Sequence, residues 1–563
     1  MAGCSNPATT DDLLDAKGIL ADITAPAILS PAPSGGGRAP NLKAKLLWAT
    51  KIPAKYYEVE LTSDANYQTP VAGSPFRVTA PTTEIEVTLP DAVRYYWRVR
   101  TNYNAPGVWS TGFFDAMNSS VYVYCASTET TCSDTGQSGN KSHPFRTISA
   151  ALAYARTATV SDILVARRGG VSTYQEPLVL ISGVNLRGGY SATFLDAEKD
   201  MSYGNQTRVA IPGTLLFALN ITGTTTVEGF HLSATDSASA VGLISGSNNN
   251  LILQYNRLDT SVNQPGPSYG LLVQNSGTTH ANGPIIRHNA ILSGNVTTPS
   301  SITAGVRLEN SALQLRNNYI KSGTIVNGIA NFLSLASGLL VVNSNPLAVN
   351  NVIISNSVAS GSDAWSIGVY HFTGTGGTYS NNTIATLWTS GNTYAVALNG
   401  GTGMPLFANN IFFNAGGGRV FYEWNATDNP VSLHNNAYVG GGFFYRDNGA
   451  SDRADGDVNN ANNTNQGTAA TVSGNLRTAV GCAPFVNYGG DDWRLQQNSC
   501  TANEWRDLRY GGRNTSLSNC GTGSASCGSI TDDLNSADRT AVNTGSSPLT
   551  NAAGYSMGAY ETD

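Results

Sequence analysis

Asn381-Asn382-Thr383-Ile384, Asn409-Asn410-Ile411-Phe412 and Asn435-Asn436-Ala437-Tyr438 repeat one small pattern: an apolar run, a polar residue, Asn, any residue, an apolar residue. Moving toward the N-terminus, the pattern returns at Ser355-Asn356-Ser357-Val358, Asn317-Asn318-Tyr319-Ile320, His288-Asn289-Ala290-Ile291 and Tyr255-Asn256-Arg257-Leu258. Gly229-Phe230-His231-Leu232 reads as an earlier copy with Gly in the Asn place. The steps between the asparagines are 33, 29, 38, 26, 28 and 26 residues. A period of this size fits one coil of a β-solenoid, whose short strands stack in parallel on the next coil around a continuous apolar interior. An Asn at a fixed bend tolerates the left-handed backbone. Its amide also pairs with the same residue one coil on, so Asn256, Asn289, Asn318, Asn356, Asn382, Asn410 and Asn436 are expected to form a structural ladder.

A second patch supports the repeat, at Tyr269-Gly270-Leu271, Ala304-Gly305-Val306, Asn327-Gly328-Ile329 and Ile367-Gly368-Val369. Composition agrees with an all-β chain. Of 563 residues only 12% are charged, 40% are apolar and 60 are Gly. Few charges and many small polar residues suit short strands and tight turns rather than long surface helices. The net charge of −6 comes with no Lys/Arg stripe to track phosphates, so nucleic acid is not an expected partner. Apolar runs such as Leu339 to Val342 are too short to span a bilayer.

The remainder divides by pattern. Residues 1–40 are rich in Ala, Pro, Ser and Gly and read as a tether. Residues 41–117 carry alternating runs (Leu46-Leu47-Trp48, Tyr56 to Leu61, Tyr95 to Arg100) separated by turns, the pattern of an antiparallel sandwich. With Trp48, Leu89 and Pro106-Gly107-Val108-Trp109-Ser110, this unit resembles a fibronectin type III domain, which implies a spacer or binding platform. Residues 118–563 hold the solenoid. Its start, Val121-Tyr122-Val123 and then His143-Pro144-Phe145-Arg146-Thr147-Ile148, resembles pectate-lyase-like proteins. That resemblance implies a right-handed parallel β-helix with a cap helix near 145–156. Its far end, Pro484-Phe485-Val486, Asp491-Asp492-Trp493-Arg494-Leu495, Ser547-Pro548-Leu549 and Met557 to Glu561, resembles the anchor-type block, here near 480–563, of bacterial surface β-helix proteins.

Seven cysteines fall as Cys125/Cys132, Cys482/Cys500, Cys520/Cys527 and a leftover Cys4. Close local pairs point to disulfides and an oxidising compartment, with free buried thiols as the other reading. Met1-Ala2-Gly3-Cys4-Ser5 resembles the end of a bacterial lipoprotein signal, which implies a lipid on Cys4 and an outer-membrane, cell-surface location; an incidental cysteine is the other reading.

Chemistry is sparse. The coil carboxylates Glu228, Asp236, Asp259, Glu309, Asp363, Glu423 and Asp428 are scattered, with no close pair of the kind glycoside hydrolysis needs. Arg287 and Arg316 each stand two residues before a ladder Asn, so neighbouring coils are expected to set them about 5 Å apart. His288 and Lys321 lie nearby in sequence, and Arg307 with Glu309 comes from the glycine patch. Such a strip binds sulfate or carboxylate, or is a solvated face. Asp452, Asp455 and Asp457 have calcium-like spacing without the late bidentate Glu, a weak site beside the plain reading of a polar loop; no other cofactor is expected. Tyr370, Trp365, Trp388 and Trp424 are sugar-stacking candidates, or loop packing.

The expectation is a non-catalytic surface lipoprotein, an adhesin or glycan-binding stalk whose partner is a polysaccharide or another cell-surface ligand. A lyase of acidic polysaccharide and a phage tailspike-like depolymerase stand behind it. The oligomeric state has no signature in the sequence.

Overall fold

The computed structural model describes most of residues 25–447 with short breaks, then 451–453, 472–473, 475–477, 485–487 and 492–495. Contacts divide the chain into two units, one mainly Met1–Val121 and one mainly from Tyr122 onward.

In the first unit a three-stranded sheet (Ala27–Ser30, Lys43–Ala49, Glu84–Thr88) and a five-stranded sheet enclose one core. The alternation read from sequence is realised in Arg94–Asn102, where Tyr95, Trp97 and Val99 are buried and Tyr96, Arg98 and Arg100 face outward. Trp48 meets Tyr57 edge to face at 5.3 Å in that core. Outside, Arg98 pairs with Glu60 and Arg100 with Glu58, and both guanidinium groups lie over Trp109 at 4.5 and 4.3 Å. The unit starts earlier than the sequence suggested. Within the stretch read as tether, Ala27–Ser30 pairs with Lys43–Ala49, and Gly37–Ala39 pairs with Ser110–Ala116. Ile28 packs against the core and Ala39 is buried in it, so apolar residues at both strands tie this proline-rich stretch to the unit.

The second unit is a parallel β-helix. Three sheets of twelve, eleven and ten strands run along it, and strands of successive coils pair in parallel, while the last strand of the eleven-stranded sheet, Ser451–Arg453, folds back antiparallel on Phe443–Asp447. The helix Ile148–Ala155 precedes the coils and lies inside the expected cap range. Thr147 is its N-cap, accepting from the Ala150 N–H at 3.1 Å. Glu176 accepts from the Ile148 and Ser149 N–H groups at 2.8 and 2.6 Å. One face, Ile148, Ala151, Leu152 and Ala155, is buried.

Register explains the interior. On the ten-stranded sheet Leu232, Leu258, Ile291, Ile320, Ile353, Ile384, Phe412 and Tyr438 form one in-register column. All are at most 1% exposed, so each coil buries its apolar residue against its neighbours rather than within itself. On the eleven-stranded sheet the inward column Val273, Leu308, Val341, His371, Leu398, Glu423 carries two polar members.

The ladder is present at the corner between the twelve- and ten-stranded sheets. Side-chain amides bond along Asn256, Asn289, Asn318, Asn351, Asn382, Asn410, Asn436 and Asn475 at 2.9–3.2 Å. Two details differ from the sequence reading. The fourth rung is Asn351; Asn356 lies after the following strand, Val352–Ser355, where its N–H bonds the Ser322 hydroxyl at 2.9 Å. The left-handed residue is the one before each rung: Gly229, Tyr255, His288, Asn317, Asn350, Asn381, Asn409 and Asn435 all have φ between 51° and 77°. Gly229 therefore fills the left-handed position, and Phe230 takes the place of a rung, its N–H bonding Asn256 Oδ1 at 3.0 Å.

The glycine patch shifts likewise. An added Cβ at Gly270, Gly305 or Gly338 would meet the carbonyl oxygen of Gly305, Gly338 or Gly368 at 2.7, 2.9 and 2.8 Å. The column is thus Gly270, Gly305, Gly338, Gly368, while Gly328 lies outside the described residues. No described helix is long and apolar enough to cross a membrane.

The hairpin Phe485–Asn487 with Asp492–Leu495 belongs to the expected C-terminal block. Phe485 packs on the outer face of the ten-stranded sheet, against Phe413 at 5.4 Å and beside Ile354, Ile411 and Val439.

Candidate functional site

Arg287 and Arg316 are in-register neighbours on the twelve-stranded sheet, as the spacing implied. They end a longer polar column, Arg187, Glu228, Gln254, Arg287, Arg316. Glu228, only 4% exposed at its side chain, accepts from Arg187 at 2.7 Å, Lys199 at 2.5 Å and Gln254 at 2.6 Å. Gln254 accepts in turn from Arg287 Nε at 2.7 Å. Burial alone pushes the Glu228 carboxyl up, but Lys199, Gln254 and Arg187 outweigh it and the net shift is downward.

The other basic candidates are dispersed by the same register. Lys321 lies on the ten-stranded sheet between Leu292 and Ile354. His288 is at the corner, stacked on Tyr255 with centroids 4.9 Å apart. Arg307 lies on the eleven-stranded sheet, ion-paired with Glu309, bonded to the Tyr269 hydroxyl, and over the Tyr269 ring at 5.1 Å. The candidates thus lie on three sheets and do not converge in one groove.

The coil carboxylates have separate structural partners. Asp259 binds His231 at 3.1 Å and pairs with Arg257; burial opposes ionisation, but these two neighbours hold its pKa down to about 2. Asp428 accepts from the Gly400 and Asn425 N–H groups at 2.9 and 2.8 Å, and Glu423 accepts from the Tyr445 hydroxyl. Asp363 lies outside the described residues. Among the described residues no three His, Cys, Asp or Glu side chains sit together as metal ligands. Asp452 is in a short strand opposite Arg446, and Asp455 and Asp457 lie outside the described residues. Cys125 is buried; Cys4, Cys132, Cys482, Cys500, Cys520 and Cys527 lie outside the described residues.

What the fold does bring together is aromatic. Along Ala364–Phe372, Val369 and His371 are fully buried in the inward register, so alternation sends Tyr370 and Phe372 to the opposite face. On that face Leu340, Tyr370, Ala397 and Tyr422 form one column, and Val342, Phe372 and Asn399 the next. Trp424, just past the strand Arg419–Glu423, stacks on Trp365 at 4.5 Å and meets Tyr422 at 5.0 Å. Tyr394 packs against Tyr422 at 4.6 Å and Trp365 at 5.6 Å. Trp365 and Trp424 remain partly exposed, and Phe372 is 43% exposed. Asn399 Nδ2 donates to the Tyr370 hydroxyl at 3.0 Å. Burial raises the Tyr370 hydroxyl above the ordinary phenol range, so it is neutral and polar at physiological pH.

Trp365, Tyr370 and Trp424 were named from sequence, whereas Phe372, Tyr394 and Tyr422 were not. Trp388 is elsewhere, buried in a separate cluster with Val296, Ile325 and Val358. No family model, curated protein or solved structure matches the chain.

Proposed function

We propose that this chain is a non-catalytic bacterial surface protein, an adhesin or stalk that binds glycan through the aromatic outer face of its eleven-stranded sheet. The observation behind this reading is that Trp365, Phe372 and Trp424 gather there partly open to solvent, with the Asn399 amide and the buried Tyr370 beside them. Rings supply flat apolar contact at low entropic cost, and a few placed polar groups fix orientation. In the same reading the first unit is a fibronectin type III-like spacer and the second a right-handed, pectate-lyase-like display arm. Cys4 carries the lipid that holds the protein to the outer membrane, and the three local cysteine pairs are disulfides.

The test is to mix the purified chain with neutral and acidic polysaccharides and run each mixture on a sizing column. Co-elution with intact polymer is expected. A polymer shifted to smaller sizes overturns the non-catalytic part. Separate elution across the whole panel overturns glycan binding.

A further inference from the structure

We infer that the hairpin of Phe485–Asn487 with Asp492–Leu495 is a strap that opens and closes as a unit, and that its seat on the ten-stranded sheet becomes a self-association face for a second copy of this chain when the strap is released. The inference concerns a different sheet from the glycan-binding face and does not rest on that reading.

The seat is marked by a change in the outward side chains of the ten-stranded sheet. In each strand these alternate with the inward column that runs from Leu232 to Tyr438. In the earlier coils they include His231, Arg257, Asp259 and Lys321, all partly exposed. From Val352 to Val439 the eight outward positions of four successive strands carry no charge, and none is more than 3% exposed. An outward face stays that dry only where chain lies on it. Phe485 does so, its ring packed on Phe413 at 5.4 Å within one cluster that reaches from Val352 to Val439.

The way the hairpin is attached makes it separable. The chain leaves the coils at Leu476–Arg477, which pair with Ala437 and Tyr438 on the same sheet. Seven residues, 478–484, lead from there to Phe485, a reach of at most about 28 Å. The strap is thus tethered beside its seat and reseats without diffusing away. Among the described residues the hairpin pairs only with itself, Phe485 opposite Leu495 and Asn487 opposite Asp492, whereas the coil strands between Val352 and Val439 are paired on both sides. Side-chain packing, not a shared ladder, holds it down. A two-stranded hairpin is marginal by itself, so unseating and unfolding are one step. That step costs less than opening a coil. Release uncovers an uncharged strip about 14 Å long across four strands. The strip offers a charged ligand no counter-charge, whereas a second released copy brings a matching strip and a hairpin already shaped for the seat.

The test uses the whole chain. Phe485→Asp places a carboxylate on the apolar seat. With the coils still folded by circular dichroism, this variant is expected to bind more of the dye ANS. Its apparent mass on a sizing column with light scattering should rise with protein concentration. Its amides in Val352–Ser355 and Ile411–Asn414 should exchange at least about tenfold faster than in the unsubstituted chain. Phe485→Leu should behave like the unsubstituted chain in all three. A folded Phe485→Asp chain with unchanged mass and exchange overturns the strap and the face together. Faster exchange at unchanged mass overturns the self-association face. If Phe485→Asp does not fold, the unsubstituted chain decides. In rising urea its Phe485–Asn487 and Asp492–Leu495 amides should lose protection before those of the coil strands, and simultaneous loss overturns a separable strap.

Discussion

The side-chain amide of Asn351 donates to Oδ1 of Asn382 at 2.9 Å, and the Asn351 backbone N–H reaches the same oxygen at 2.9 Å. Asn318 treats Asn351 in the same way, at 3.0 Å for both bonds. A single carboxamide thus serves the coil before it and the coil after it. Replacing it with a hydrocarbon strands two donors of Asn318 in a buried corner. Asn351→Ala is expected to destabilise the chain by roughly 3 kcal/mol, the scale of leaving buried polar groups unsatisfied. Asn356→Ala, which removes one 3.3 Å bond to the Ser322 carbonyl, should cost under about 1 kcal/mol. Urea unfolding followed by circular dichroism separates them; equal losses would contradict the register.

The glycine column gives a second test. A Cβ at Gly338 would lie 2.7 Å from Ile353 Cγ2 and 2.8 Å from the Gly368 carbonyl. The second contact is backbone, which cannot step aside as a side chain can. Gly338→Val should therefore cost about 2 kcal/mol or more through overpacking, read as a lower urea midpoint. A neutral result would mean the strand Ser334–Val342 does not approach its neighbour so closely.

These positions show what was legible in the chain and what was not. The repeat, its size and the ladder residue type are written in the sequence, because every coil faces the same corner. The fourth rung was misplaced for a physical reason. Asn345–Val349 and Val352–Ser355 are both short, mainly apolar strands followed at once by Asn, and a single Asn does not say which belongs to which sheet. The Asn-Asn pairs at 317–318, 350–351, 381–382, 409–410 and 435–436 carry that information, since the first Asn takes the left-handed turn and the second the ladder. The aromatic face was harder. Tyr370 and Tyr422 are 52 residues apart in the chain and meet in one column only after two coils are correctly registered. The basic residues failed in the opposite sense. Proximity in sequence grouped Arg287, Arg307 and Lys321, and three-sheet winding separated them.

Glu228 supports a third prediction. It holds Arg187 and Lys199 together near the start of the coils, and Lys199 is only 15% exposed at its side chain. Glu228→Gln removes the carboxylate that Arg187 and Lys199 share, a loss of roughly 3 kcal/mol for a broken, largely buried pair. Adding Lys199→Met to Glu228→Gln should recover part of that loss. Failure of the second change to help would show that the ion network is not what Glu228 contributes.

His371 sets an acid sensitivity of its own. It is fully buried in the inward column, its Nε2 lies 2.7 Å from the Tyr379 hydroxyl, and burial holds its pKa down to about 3. An unfolded chain protonates this imidazole near its ordinary value of about 6.5, whereas the folded chain does not. Between those values the unfolded state binds the extra proton, so stability falls as pH falls, by up to ~1.4 kcal/mol per unit. The contribution is complete above about 6.5 and is eroded progressively toward 3. Asp259, held down at about 2 by its neighbours, acts in a lower window, below the ordinary carboxylate value of about 4. The two are separable. His371→Phe should flatten the stability curve between pH 6.5 and 4.5 and leave the steeper loss below 4 in place. An unchanged slope in the upper window would show that His371 takes up its proton inside the folded coil, with Tyr379 accepting from the imidazolium.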